Sequence, residues 1–136
     1  MADPSTVQSV AISAEDLLAA LEATARDERR TVLRATPPYS GRMRARLHVV
    51  QGETDDGTLH FPPGDLVDGD APSFPTPDET ADELRERDDE PYSVDRHREY
   101  HARRVDEWRD AVPDHVVDAV SHPAVGHEVA VSLLGP

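Results

Sequence analysis

Cysteine, lysine and asparagine are all missing from this 136-residue chain, and isoleucine occurs once, at Ile12. Without cysteine there is no disulfide framework, no thiolate-held zinc or iron–sulfur cluster and no cysteine nucleophile. Without lysine there is no Schiff-base chemistry and no phosphate-loop lysine. Long apolar runs are lacking too. The longest near the start is Leu17–Leu21, far short of the roughly 20 residues that span a bilayer. The first residues carry Asp3, Glu15 and Asp16 rather than a basic segment ahead of an apolar one, so no signal peptide is expected and the cytoplasm is the expected location. Gly-x-Gly-x-x-Gly, Gly-x-Ser-x-Gly and Ser-x-x-Lys are absent. The stretch from Asp65 to Asp70 lacks the following helix and terminal glutamate of a calcium hand.

What the chain has in excess is acid. It holds 28 acidic residues against 14 basic ones, all arginine, for a net charge of −14. Such a surface repels itself in dilute buffer, but at 1 M salt the Debye length is only about 3 Å and the repulsion is screened. Arginine in place of lysine, with aspartate in surplus, reads as adaptation to molar salt. The charge is unevenly spread. Residues 26–46 sum to +5, from seven arginines against Asp27 and Glu28, while residues 47–95 sum to −13. A basic island sits in an acidic chain.

The length suits one domain. Residues 1–12 read as a flexible N-terminal arm or a short edge strand, and 13–136 as a single domain. Ser13 is a helix N-cap with acid in the first turn, where the helix dipole favours it, and the apolar spacing of Leu17, Leu18 and Leu21 predicts a helix near 14–28. Residues 30–36 read as a strand, and Pro37–Gly41 as a turn. From Arg42 the pattern alternates strictly, with Met43, Ala45, Leu47 and Val49 on one face and Arg42, Arg44, Arg46 and His48 on the other. Closing this as a hairpin places Thr36 opposite Arg42 and Arg34 opposite Arg44. Further strands are expected near 58–61 and 127–134. Thr76 and Ser93 cap helices near 77–87 and 94–111, and a shorter helix is expected near 113–120. Residues 62–77 form a Pro- and Asp-rich loop. The fold class is therefore α+β, a largely antiparallel sheet of about four strands (near 30–36, 42–50, 58–61 and 127–134) packed against helices.

Two constellations could carry chemistry. On the arginine face, Arg30, Arg34, Arg42, Arg44, Arg46 and His48, with Tyr39 in the adjoining turn, suit an anionic partner, because the guanidinium fork matches carboxylate and phosphate. The competing use is internal, with the acidic stretch 64–90 and Glu128 folded over that face. Nucleic-acid backbone is the weaker alternative partner, since the interleaved aromatics needed for base stacking are missing. The second constellation is His97 and His101, four apart on one helix, which could share a metal ion in a metal-binding protein or hydrolase. A third ligand would come from Asp95, His60, His115, His122 or His127. The string His-Arg-Glu-Tyr-His is not the zinc-hydrolase motif, because Arg98 stands where the general base belongs. A structural use is the competing reading: His101 shares an apolar stripe with Val105 and Trp108. The acid pairs Asp55-Asp56 and Asp88-Asp89-Glu90 read as solvated surface. No cofactor is expected.

Thr36-Pro-Pro-Tyr-Ser-Gly-Arg-Met-Arg-Ala-Arg-Leu-His48, Pro75-Thr-Pro-Asp-Glu-Thr, Tyr92-Ser-Val-Asp-Arg-His97 and the ending His127-Glu-Val-Ala-Val together resemble a family of small, uncharacterised haloarchaeal proteins, a domain of unknown function. The resemblance covers nearly all of the chain after about residue 13. It implies a cytoplasmic, halophilic, single-domain protein and carries over no catalytic residue. The expectation that follows is a non-enzymatic binding module using the arginine face, with an anionic protein as partner and no membrane involved.

Overall fold

The computed structural model describes residues 3–26, 29–51, 57–87 and 91–134. After a 3-10 turn at Pro4–Thr6 come β1 (Ser9–Ser13), α1 (Ala14–Ala25), β2 (Thr31–Ala35), β3 (Arg42–Arg44), β4 (Arg46–Val49) and β5 (Leu59–Phe61). A 3-10 turn at Pro63–Leu66 leads to α2 (Pro77–Arg85) and α3 (Val94–Ala111). A third such turn at Val112–His115 precedes β6 (Ala119–Ser121) and β7 (Glu128–Leu134). The fold is α+β. Each helix starts where a hydroxyl satisfies an otherwise orphaned backbone N–H: Ser13 accepts from Asp16 at 3.0 Å, Thr76 from Glu79 at 3.2 Å and Ser93 from Arg96 at 3.1 Å. Of the predicted helix 14–28, residues 27 and 28 lie outside the described residues, as do the acid pairs at 55–56 and 88–90.

The strands make two sheets rather than one. A mixed sheet has the order β3-β1-β7-β6, and an antiparallel sheet has the order β4-β2-β5. The reason lies in the alternating strand 42–50, which changes partner midway. Its first half runs parallel to β1 and its second half antiparallel to β2. Successive backbone groups of a strand point to opposite edges, so one strand can serve both neighbours. Toward β1, the Gly41 carbonyl accepts from Ser9 and the Ala45 N–H donates to Ala11 at 3.0 Å; toward β2, the Val50 N–H donates to Arg30 at 2.8 Å. Beyond the end of β1, the next N–H on that edge, from Leu47, donates to the Asp16 carboxylate at 3.1 Å. Ala45, fully buried, sits at the changeover.

Three further expectations are corrected. Residues 9–12 do form a strand, but neither a loose arm nor an edge: β1 lies inside the mixed sheet, and Val7, Val10 and Ile12 are fully buried. The helix expected near 113–120 is a 3-10 turn followed by β6, because the β-branched Val116, Val117 and Val120 suit extended backbone; Val116 bridges Val67, and the Val117 N–H donates to Leu66 at 3.0 Å. The hairpin register places Arg34 opposite Arg46, not Arg44.

One core joins both sheets: Val10, Ile12, Leu33, Leu59, Phe61, Leu66 and Val129, with Leu17 and Ala20 of α1 on top. The Pro-rich connection 62–77 is tied down on the helical side. The Trp108 indole donates to the Pro72 carbonyl at 3.0 Å, and Phe74 meets the Trp108 ring edge-on at 4.9 Å.

Candidate anion-binding cleft

The paired half of the hairpin ends at Arg34 and Arg46, because β3 turns to β1 and β2 stops at Ala35. The chain between them opens as a wide loop, and a cleft of about 310 Å³ lies at its mouth. Arg34, Thr36, Met43, Arg44, Arg46 and Leu47 line it. The β-sheet alternation aims the three guanidinium stems the same way, since residues 34, 44 and 46 share one face of their strands. Arg46, Arg34 and His60 stand in line across β4, β2 and β5. His48 lies beside them. An Arg34 Nη1 is 3.5 Å from His48 Nε2, and the His48 and His60 rings are 5.6 Å apart. Guanidinium only donates, so His48 Nε2 is the acceptor in this contact.

Electrostatically the cleft is unbalanced. Among the described residues, no carboxylate lies within ion-pair distance of Arg34, Arg44 or Arg46. Arg44 Nε is shielded from solvent and has no hydrogen-bond partner. Like charges facing each other across a strand pair are destabilising, and Arg34 faces Arg46. Three of the described acids of the middle segment are engaged elsewhere. Glu83 holds Arg104 at 2.9 Å and accepts from the Tyr100 hydroxyl at 2.9 Å, Asp82 pairs with Arg85, and Asp68 meets His115 at 3.1 Å. The Arg104 guanidinium, with the Tyr100 hydroxyl, holds the Glu83 carboxyl below the usual carboxylate range. That acidity ties α2 to α3 rather than covering the arginines.

Of the other residues singled out in the sequence, Arg30 and Arg42 are exposed and do not line the cleft. Tyr39 packs against the core and its hydroxyl donates to the Gly57 carbonyl. Sequence reasoning did not single out Thr36, Met43 and Leu47 for the site. They enter it through the hairpin register, which residue types alone do not reveal.

The histidine pair is used differently. The Thr80 hydroxyl, fully buried, lies 2.9 Å from His97 Nε2 and 2.9 Å from His101 Nδ1. His97 Nε2 is also 3.0 Å from the Pro77 carbonyl, which can only accept, so that nitrogen carries a proton. The pair thus clamps α2 to α3. Among the described residues, no group of three His, Asp or Glu is placed to hold a metal ion. Burial, then the neighbouring His97, Arg26 and Arg104, push the His101 pKa below its ordinary 6.5. The sign of the consequence is fixed. Below pH 6.5 the unfolded chain takes up a proton that the folded chain resists, so stability is full above 6.5 and is lost as pH falls from 6.5 toward the folded value. Urea midpoints at pH 7.5 and 5.5 are expected to show this loss, and His101→Gln to reduce it. An unchanged midpoint in the native protein would contradict the lowered His101 pKa.

No helix among the described residues is long and apolar enough to cross a membrane. Comparison with curated proteins and with solved structures finds no match. The match is instead to a family described as Domain of unknown function (DUF8009), which spans residues 1–135. The chain therefore belongs to the DUF8009 family.

Proposed function

We propose that this protein is a non-enzymatic binding module that receives an anionic partner, a protein rather than a nucleic acid, in the cleft between β2 and the β3–β4 strand. One observation carries the reading: three arginines and a threonine converge on one cleft, in a chain with twice as many acids as bases, and no described acid neutralises them. A carboxylate entering the cleft gains charge-assisted hydrogen bonds, which are the stronger kind. It also relieves the repulsion between Arg34 and Arg46. The aromatic platforms that hold single-stranded bases are missing, since Tyr39 is committed to Gly57. Fluorescence anisotropy with a labelled nine-residue glutamate peptide and a nine-nucleotide thymidine oligomer tests this directly. The peptide is expected to bind more tightly, and tighter binding of the oligomer would overturn the choice of partner.

The working environment belongs to the same proposal. The complete replacement of lysine by arginine, the net charge of −14 and the absence of cysteine support a salt-loaded cytoplasm. Thermal melts in 0.1 M and 2 M KCl are expected to show a higher melting temperature at the higher salt, because screening removes the self-repulsion. A melting temperature that falls with salt would contradict it.

A further inference from the structure

The helix α2 packs chiefly on α3. The contact is small and stands apart from the core that joins the two sheets. Ala81 and Leu84 of α2 and Tyr100 of α3 are buried, but none of the three belongs to that core. Polar ties add to it. Glu83 reaches Arg104 and Tyr100. One turn earlier on α2, the Thr80 hydroxyl is shared by His97 and His101.

That second tie is uncharged on one side and titratable on the other. A hydroxyl has one proton and two lone pairs, so it can meet two imidazoles but cannot balance a charge. The His97 and His101 rings are only 6.0 Å apart. The other charged groups facing them are positive: Arg104 on α3 and Arg26 just after α1. Arg85 of α2 stacks on the Tyr92 ring, which lies 5.9 Å from that of His97. Glu83 is engaged by Arg104 and Tyr100. Among the described residues, no carboxylate lies within ion-pair distance of either histidine. A proton arriving here is therefore opposed by burial and by like charge. Both penalties fall once α2 lifts and water reaches the rings.

We infer that His97, Thr80 and His101 form an acid-operated latch: proton uptake by the histidine pair frees α2 from α3 while the two sheets stay folded, and uncovers Tyr100. The inference does not depend on the arginine cleft. Amide hydrogen exchange at pH 7.5 and 5.5, corrected for the intrinsic pH dependence of exchange, tests it. Amides of α2 are expected to be at least tenfold less protected than those of β1 and β7 at both pH values, because α2 opens without the sheets. Their protection is expected to fall at least threefold from pH 7.5 to 5.5, and a single histidine of ordinary pKa allows about tenfold. His101→Asn, whose side-chain amide can meet the Thr80 hydroxyl without titrating, is expected to remove most of that fall. Thr80→Ser keeps the hydroxyl and is expected to retain it. Protection of α2 equal to that of β1 and β7 would overturn the latch, since α2 would then open only with the whole fold. So would α2 protection that ignores pH in the native protein, or a fall that persists undiminished in His101→Asn.

Discussion

Arg44→Gln combined with Arg46→Gln is expected to weaken binding of a glutamate peptide by about two orders of magnitude, with no loss of stability. Hydrogen bonds to a charged group contribute about 1.5–3 kcal/mol each. The cleft is open to water, so the lower end applies to each arginine. A factor of ten corresponds to about 1.4 kcal/mol, so two lost contacts give about a hundredfold. The stability half of the result separates a binding role from a structural one. Arg46 is exposed, and Arg44 has a shielded Nε with no partner. Removing both charges breaks no described ion pair and takes one guanidinium away from Arg34. The melting temperature is therefore expected to stay level or rise slightly at low salt. A double variant that unfolds in molar salt would show that the arginines hold the hairpin together and that their clustering serves the fold.

Phe61→Ala is the substitution expected to cost most in the core. The side chain is 1 % exposed, lies opposite Leu33 on β2 and packs edge-on to His122 with ring centroids 5.2 Å apart. Truncating a buried phenylalanine costs about 3–5 kcal/mol through lost transfer energy and the cavity left behind. Whole domains have only about 5–15 kcal/mol in hand. β5 is an edge strand of three residues, so its attachment rests heavily on Leu59 and Phe61. Urea unfolding should show a large fall in midpoint with an unchanged slope. A change below about 1 kcal/mol would mean that β5 is not sealed into the core.

The parts of this fold that could be read from the sequence are those set by neighbours along the chain. Ser13, Thr76 and Ser93 announce helices because a capping hydroxyl acts within three residues. The alternation from Arg42 to Val49 is visible because strand side chains obey a period of two whatever the strand pairs with. Pairing itself is not a local property. A five-residue turn at Pro37–Gly41 reads as a tight hairpin, whereas β3 is drawn away by β1, more than 30 residues earlier. Nothing in the local pattern of residues 7–12 marks them as interior, since their burial comes from β3 on one side and β7 on the other. The short valine-rich run after Pro113 fits helix and strand equally, and its contact with Leu66 decides for strand. The candidate site follows the same division. Arg34, Arg44 and Arg46 stand out as a basic cluster in an acidic chain, and they do converge on one cleft. Arg30, Arg42 and Tyr39 share that cluster in sequence but not the cleft, because the register and the Tyr39–Gly57 contact place them elsewhere.

The central claim is that the arginines of the cleft are held open for an anion. Arginine Nε–H resonances report it one side chain at a time, through a nitrogen-15 spectrum recorded while the nine-residue glutamate peptide is titrated in. The Nε–H signals of Arg34, Arg44 and Arg46, which line the cleft, should shift on binding. Arg98, exposed on α3 and paired with Asp95, should stay in place. Shifts spread evenly over all the arginines, or signals of Arg34, Arg44 and Arg46 that do not move at saturation, would contradict the account.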